Sequence, residues 1–259
     1  REVSGLTMKY AHNVLKATNE YQLHLTDEAD LDGLPQTAVE LASQTAREAG
    51  LDGWLFTLKQ PSISPFLTYS SKRELRKQMY LAKNTICRKG EWNNTDIVRR
   101  IVNLRREFAQ LLGYTNFADF VLKRRMAADK ETVYEFLNKM LKAYLPAARK
   151  EIDEIAEYAR KLEGNDFLMQ PWDFAYYSHL LKKERYDLDS EMLRPYFELE
   201  KVKRGVFGLA GKLYGITFVK NAGIQVYHPE VEAFDVIDAD GTYLAVLYID
   251  YHPRKGKKG

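Results

Sequence analysis

The chain has 259 residues, of which 45% are hydrophobic and 12% aromatic, a composition that excludes a disordered protein. Its net charge is +3, and four cations near the end (Arg254, Lys255, Lys257 and Lys258) account for more than that excess. This distribution argues against nucleic-acid binding, which requires a broad basic surface. No run of eighteen apolar residues is present, which argues against a membrane span.

A single cysteine, Cys87, excludes an intramolecular disulfide. We expect a cytoplasmic protein. The periplasm is the alternative, because one cysteine is compatible with both compartments. The chain begins with Arg1 rather than methionine, and we expect both ends to be cut from a longer protein.

Helical periodicity dominates the first 214 residues. The predicted helices are 6–25, 37–49, 71–88, 95–112, 116–125, 129–164, 172–185, a short one after Asp189, and 199–214. Several are expected to end at glycines, which favour the left-handed backbone of a helix C-terminus. Ser71 and Glu74 have the spacing of a capping box, whereas Pro61 and Pro65 predict extended backbone between 59 and 66.

The pattern changes after residue 214. The segments 216–219, 231–237 and 243–251 are rich in β-branched and aromatic residues and are predicted to be strands. The dipeptide Asp240-Gly241 predicts a hairpin between the last two. The sequence therefore predicts a mainly α protein, with a multi-helical lobe at 1–214 and the start of a small mixed β region at 215–259.

Local motifs for chemistry have simpler structural interpretations. GVFGLAGKL (205–213) resembles a phosphate loop, but its spacing fails and no strand precedes it, so packing of small residues is favoured. The acidic residues at 187–200 are interpreted as helix caps rather than a catalytic carboxylate pair. Trp172, Tyr176 and Tyr177 lie at helical spacing and are predicted to be core residues.

Longer motifs follow one another along the chain. W-D-x-x-Y-Y begins at Trp172, Y-D-L-D-x-x-x-L-x-P-Y-F at Tyr186 and L-Y-G-I-x-F at Leu213. They are accompanied by LDGLP (31–35), KNTICRKGEWNN (83–94), LRREFAQLLGYTNFADFVLKRRMA (104–127), VYHPEVEAFDVIDADG (226–241) and DYHPRKGKKG (250–259). In order and spacing they resemble the thimet-oligopeptidase family of zinc metallopeptidases, with the bacterial peptidyl-dipeptidases (dipeptidyl carboxypeptidases) as the nearest branch.

The resemblance implies a zincin-type oligopeptidase with two helical lobes around a deep channel that admits short unstructured peptides. In that family an HExxH helix supplies two zinc ligands and a general base, and it lies downstream of the motif that ends this chain. The five histidines here are His12, His24, His179, His228 and His252, and none has the i, i+4 spacing. We therefore expect zinc in the parent protein, none bound by this chain, and no catalytic residue within it.

Arg254 and Lys257 lie in the loop that leads toward the family's site. Capture of a peptide's terminal carboxylate requires a cationic or phenolic group, so both residues are candidates for the substrate cleft. The favoured alternative is that they only position the loop.

Three functional hypotheses follow. The leading one is an inactive part of a zinc peptidyl-dipeptidase that releases C-terminal dipeptides. The second is an oligopeptidase that cuts internally, and the third is a non-catalytic helical binding module. If the final hairpin normally pairs with later strands, its edge is unprotected here, and the chain is then expected to self-associate through Tyr243–Tyr251. The missing lobe is also expected to leave an apolar surface patch that is normally covered.

Overall fold

A computed structural model describes residues 1–252, apart from the side chain of Ser190. The chain divides into two compact units, Arg1–Asp187 and Leu188–Gly259, the second of which is described as far as His252. Ten α-helices and a small antiparallel sheet near the C-terminal end of the described chain confirm the mainly α fold class. The boundary drawn between residues 214 and 215 stays a prediction.

The first unit contains eight helices and one pair of strands. The helices are α1 Glu2–Glu20, α2 Gln36–Glu48, α3 Gln60–Tyr69, α4 Arg73–Asn84, α5 Thr95–Leu111, α6 Phe117–Leu122, α7 Lys130–Glu163 and α8 Phe174–Tyr186. A single 3-10 turn spans Glu28–Leu31. Strands β1 Leu23–Leu25 and β2 Trp54–Phe56 pair antiparallel.

Helix ends follow the predicted local signals. Gly50, Gly113 and Gly164 come directly after or one residue beyond the ends of α2, α5 and α7, and all three have positive φ. At the other end of α7, the Asp129 carboxylate accepts a hydrogen bond from the backbone N–H of Thr132 at 2.8 Å. Glycine and N-cap rules therefore locate these boundaries without tertiary information.

The predicted extended segment at 59–66 is wrong, because α3 begins at Gln60. Pro61 lies in the first turn, where a backbone N–H has no acceptor within the helix, so the ring costs nothing there. Pro65 removes one hydrogen bond within the helix. Burial of Ile63 and Phe66 on the face toward the core offsets that loss.

Two other local predictions are wrong, and both concern the end of a helix. The first helix ends at Glu20 instead of residue 25, because Leu23–Leu25 pairs with a strand some thirty residues further along the chain. The predicted capping box at Ser71 is absent, and Lys72 is the N-cap residue of α4. The hydroxyl of Ser71 donates instead to the carboxylate of Asp32 at 2.5 Å.

The main core of the first unit lies between the strand pair and helices α2, α3 and α4. Phe56 and Phe66 are fully buried and meet edge to face, with ring centroids 4.7 Å apart. Leu58 and Met79 pack in the same cluster. The strand pair and three helices thus share one apolar interior.

Gly53 occupies a position where no side chain fits. Its φ is +82°, and an added Cβ would lie 2.4 Å from the carbonyl oxygen of Leu25. We expect Gly53→Ala to lower the free energy of unfolding by about 2–4 kcal/mol, because backbone strain and a clash add together. Urea denaturation followed by circular dichroism measures the loss.

Gly50 provides the matched control for this prediction. It also has positive φ, at +72°, but no atom lies within 4 Å of the added Cβ. Gly50→Ala should therefore cost only the backbone term, about 1–2 kcal/mol. Equal losses for the two variants would contradict the steric argument.

The second unit places a helix against a three-stranded sheet. Its elements are α9 Ser190–Leu193, a 3-10 turn at Arg194–Tyr196, α10 Leu199–Tyr214, β3 Thr217–Lys220, β4 Glu232–Ile237 and β5 Tyr243–Ile249. The strand order is β3-β4-β5, with both pairs antiparallel. The predicted hairpin at Asp240-Gly241 is confirmed: Gly241 has φ +87° and its N–H donates to the carbonyl of Asp238.

Helix α10 covers one face of this sheet through aromatic contacts. The ring of Phe207 stacks on Phe218 at 4.3 Å between centroids and meets Phe234 edge-on at 5.1 Å. The glycine-rich segment 205–213 lies within the continuous helix α10 and forms no loop. Added Cβ atoms at Gly205 and Gly208 would meet nothing within 4 Å among the described residues, so the predicted close packing through small residues is wrong at these two positions.

Candidate functional site in the C-terminal sheet

The two candidate residues for the substrate cleft, Arg254 and Lys257, lie outside the described residues. Their proposed role therefore stays a prediction. The described residues that precede them along the chain are those of β5, followed by Asp250, Tyr251 and His252.

A cleft of about 530 Å³ opens beside the sheet within the second unit. The start of α10, the end of β3 and the loop between β3 and β4 form its walls. Leu199, Ile224 and Val231 contribute apolar surface, and Tyr251 and His252 contribute ring surface. The cleft is thus mixed in character rather than purely hydrophobic.

Charges beside the cleft are paired with one another. The ammonium of Lys203 lies 2.7 Å from the Glu200 carboxylate and 3.0 Å from that of Glu232. Lys220 forms a further short ion pair with Glu232. Hydrogen bonds to Glu200 and Glu232 raise the pKa of Lys203, and hydrogen bonds from Lys220 and Lys203 lower the pKa of Glu232. Both groups are held in their charged forms, so neither is suited to act as a general acid or base near neutral pH.

The hydroxyl of Tyr251 is buried, and no described residue hydrogen-bonds to it. The Lys203 ammonium lies 6.0 Å from the centroid of its ring. Burial raises the pKa of Tyr251, so the phenol stays protonated. A protonated phenol can donate a hydrogen bond but cannot act as a nucleophile.

No group of three or more histidine, cysteine, aspartate or glutamate side chains in residues 1–252 is arranged to hold a metal ion. The histidines are scattered over both units. His12 meets the Trp92 ring, His24 is hydrogen-bonded to the Asp52 carbonyl at 2.6 Å, and His179 contacts the Tyr69 ring. The donors present in the described residues therefore do not fit a zinc site.

Sequence reasoning missed the most buried charged cluster, which lies in the first unit. Asp173 is fully buried, and its carboxylate accepts hydrogen bonds from the Arg73 and Arg76 guanidiniums at 2.8 and 3.0 Å. The backbone N–H of Gln170 donates a further bond at 2.9 Å. The side chain of Arg76 is 1% exposed and that of Arg73 is 38% exposed.

Aromatic rings flank both arginines of this cluster. The Arg76 guanidinium lies 4.1 Å from the centroid of the Tyr176 ring, and that of Arg73 lies 4.4 Å from Phe167. Tyr177, predicted to be a core residue, is buried against α7 beside Ile155. The W-D-x-x-Y-Y motif thus supplies the buried carboxylate of this cluster and part of its aromatic surroundings. Within the motif, the aspartate after the tryptophan was the only sign of a charged cluster.

The charge on Asp173 is held by its donors. Burial alone would raise its pKa, but hydrogen bonds from Arg73, the Gln170 N–H and Arg76 outweigh burial and place the pKa below its ordinary value. Both carboxylate oxygens are occupied by donors, so the group has no free lone pair aimed at a substrate. We assign this cluster a structural role.

No helix in residues 1–252 is both long and apolar enough to cross a membrane.

Comparison with known proteins gives the family. The profile of peptidase family M3 matches residues 66–259. Oligopeptidase A of Escherichia coli K12 is 37% identical over 99% of this chain and 38% of its own length. Dipeptidyl carboxypeptidase of the same organism is 35% identical over 100% of this chain and 38% of its own length. The organellar oligopeptidase A of Arabidopsis thaliana is 33% identical over 100% and 34%, respectively.

The chain thus spans less than two fifths of the length of these curated relatives. The match includes the motif-bearing segment from Leu168 onward as well as the sheet that precedes Arg254 and Lys257. The chain belongs to peptidase family M3.

Proposed function

We propose that the chain is part of a zinc-dependent peptidyl-dipeptidase that removes C-terminal dipeptides from short unstructured peptides, and that it is inactive alone. The observation that carries this proposal is the alignment of the whole chain with a dipeptidyl carboxypeptidase, combined with a sequence that has no HExxH motif. Zinc would be held by residues of the parent protein. The chain would contribute scaffold and, through Arg254 and Lys257, part of the wall of the substrate cleft.

Exposed apolar side chains on α7 support the view that more protein normally packs here. Tyr134, Leu137, Leu141 and Tyr144 recur at steps of three and four along its first half and are all exposed. Such a continuous apolar stripe on a helix usually faces another element. The second half of α7, by contrast, packs on α8 through Ile155 and Ala159.

Zinc content and peptide cleavage test the proposal. Mass spectrometry of the purified chain should find no stoichiometric zinc, and a blocked tripeptide substrate should stay intact. The full-length parent should bind one zinc ion and release dipeptides. One zinc per chain together with cleavage by residues 1–259 alone would contradict the assignment of catalysis to residues of the parent protein outside this chain.

Internal cleavage by an oligopeptidase is the second candidate, and the 37% identity with oligopeptidase A favours it as strongly. The two activities differ in their need for a free C-terminus. The full-length parent should therefore be given one peptide as the free acid and as the C-terminal amide. Loss of cleavage on amidation supports the peptidyl-dipeptidase, and equal cleavage supports the oligopeptidase.

A non-catalytic binding module is the remaining alternative. It predicts a coding sequence that stops directly after Gly259, whereas a downstream HExxH motif would exclude it. For location we propose the cytoplasm, with the periplasm as the alternative, since a single cysteine is compatible with both compartments. Recovery of the parent in a periplasmic extract would contradict this.

A further inference from the structure

We draw no further inference here: the strongest candidate, the cleft beside the three-stranded sheet of the second unit, where the Tyr251 hydroxyl has no hydrogen-bond partner among the described residues, has a wall that ends at His252, the last residue that the structure describes, so nothing in the structure shows what covers it.

Discussion

Replacing Asp173 with asparagine is expected to lower the free energy of unfolding of the first unit by about 3–5 kcal/mol. The change leaves the two arginines without a counter-charge, and Arg76 has almost no access to water that could replace it. Removal of one partner from a buried ion pair is costly because the remaining charge is uncompensated. Urea denaturation followed by circular dichroism measures the effect.

Asp166→Asn is the control for this prediction. Asp166 lies in the same segment between α7 and α8, but its side chain is exposed. Exposed carboxylates contribute little, so its loss should stay within about 0.5 kcal/mol. Similar losses for the two variants would show that the segment, rather than the buried ion pairs, determines stability.

The dependence of stability on pH in the acid range provides a second measurement on the Asp173→Asn variant. The pKa of Asp173 in the folded chain lies below the value of about 3.9 in an unfolded chain. The stabilisation is therefore fully present above about pH 4 and is lost as the pH falls through the folded pKa. Asp173→Asn should remove this part of the acid dependence, and an unchanged acid profile would contradict the role given to the carboxylate.

Replacing Phe66 with alanine should also cost about 3–5 kcal/mol. Phe66 is fully buried among Phe56, Leu58 and Met79, and truncation leaves a cavity that the surrounding strands and helices can fill only in part. Phe66→Leu retains most of the volume and should cost less, which keeps the test informative if the alanine variant does not fold.

Phe136→Ala gives the comparison at an exposed position of the same residue type. Phe136 is 60% exposed on α7. Alanine has a higher helix propensity than phenylalanine, so the free energy of unfolding should change by no more than about 0.5 kcal/mol. A loss comparable to that of Phe66→Ala would mean that the exposed surface of α7 is covered in solution.

Much of the fold could be predicted from local signals in the sequence. Asp129 and Gly164 determine the two ends of the longest helix, and Asp240-Gly241 determines the hairpin, because caps and turns involve residues close together in sequence. Ser71 was misassigned because its partner, Asp32, lies 39 residues away. Local pattern contains no information about such a contact.

The family could be predicted from the sequence, but the contacts of the buried charged cluster around Asp173 could not. Motifs gave the family, but the ion pairs of Asp173 with Arg73 and Arg76 join residues 100 and 97 positions apart, which no spacing rule detects. Conversely, the absence of a histidine pair at i, i+4 is a property of the sequence itself and needed no structure to be recognised.

The bonds between Arg73 and Asp173 also have a topological consequence. They close a loop that contains most of α4 and all of α5, α6 and α7, and α3 packs on α8 at the base of that loop. Closing a loop of this length costs chain entropy that is repaid only when both ends have arrived. The hydrogen bonds of Asp173 and the packing of α3 on α8 therefore have to offset that entropy cost before they stabilise the first unit.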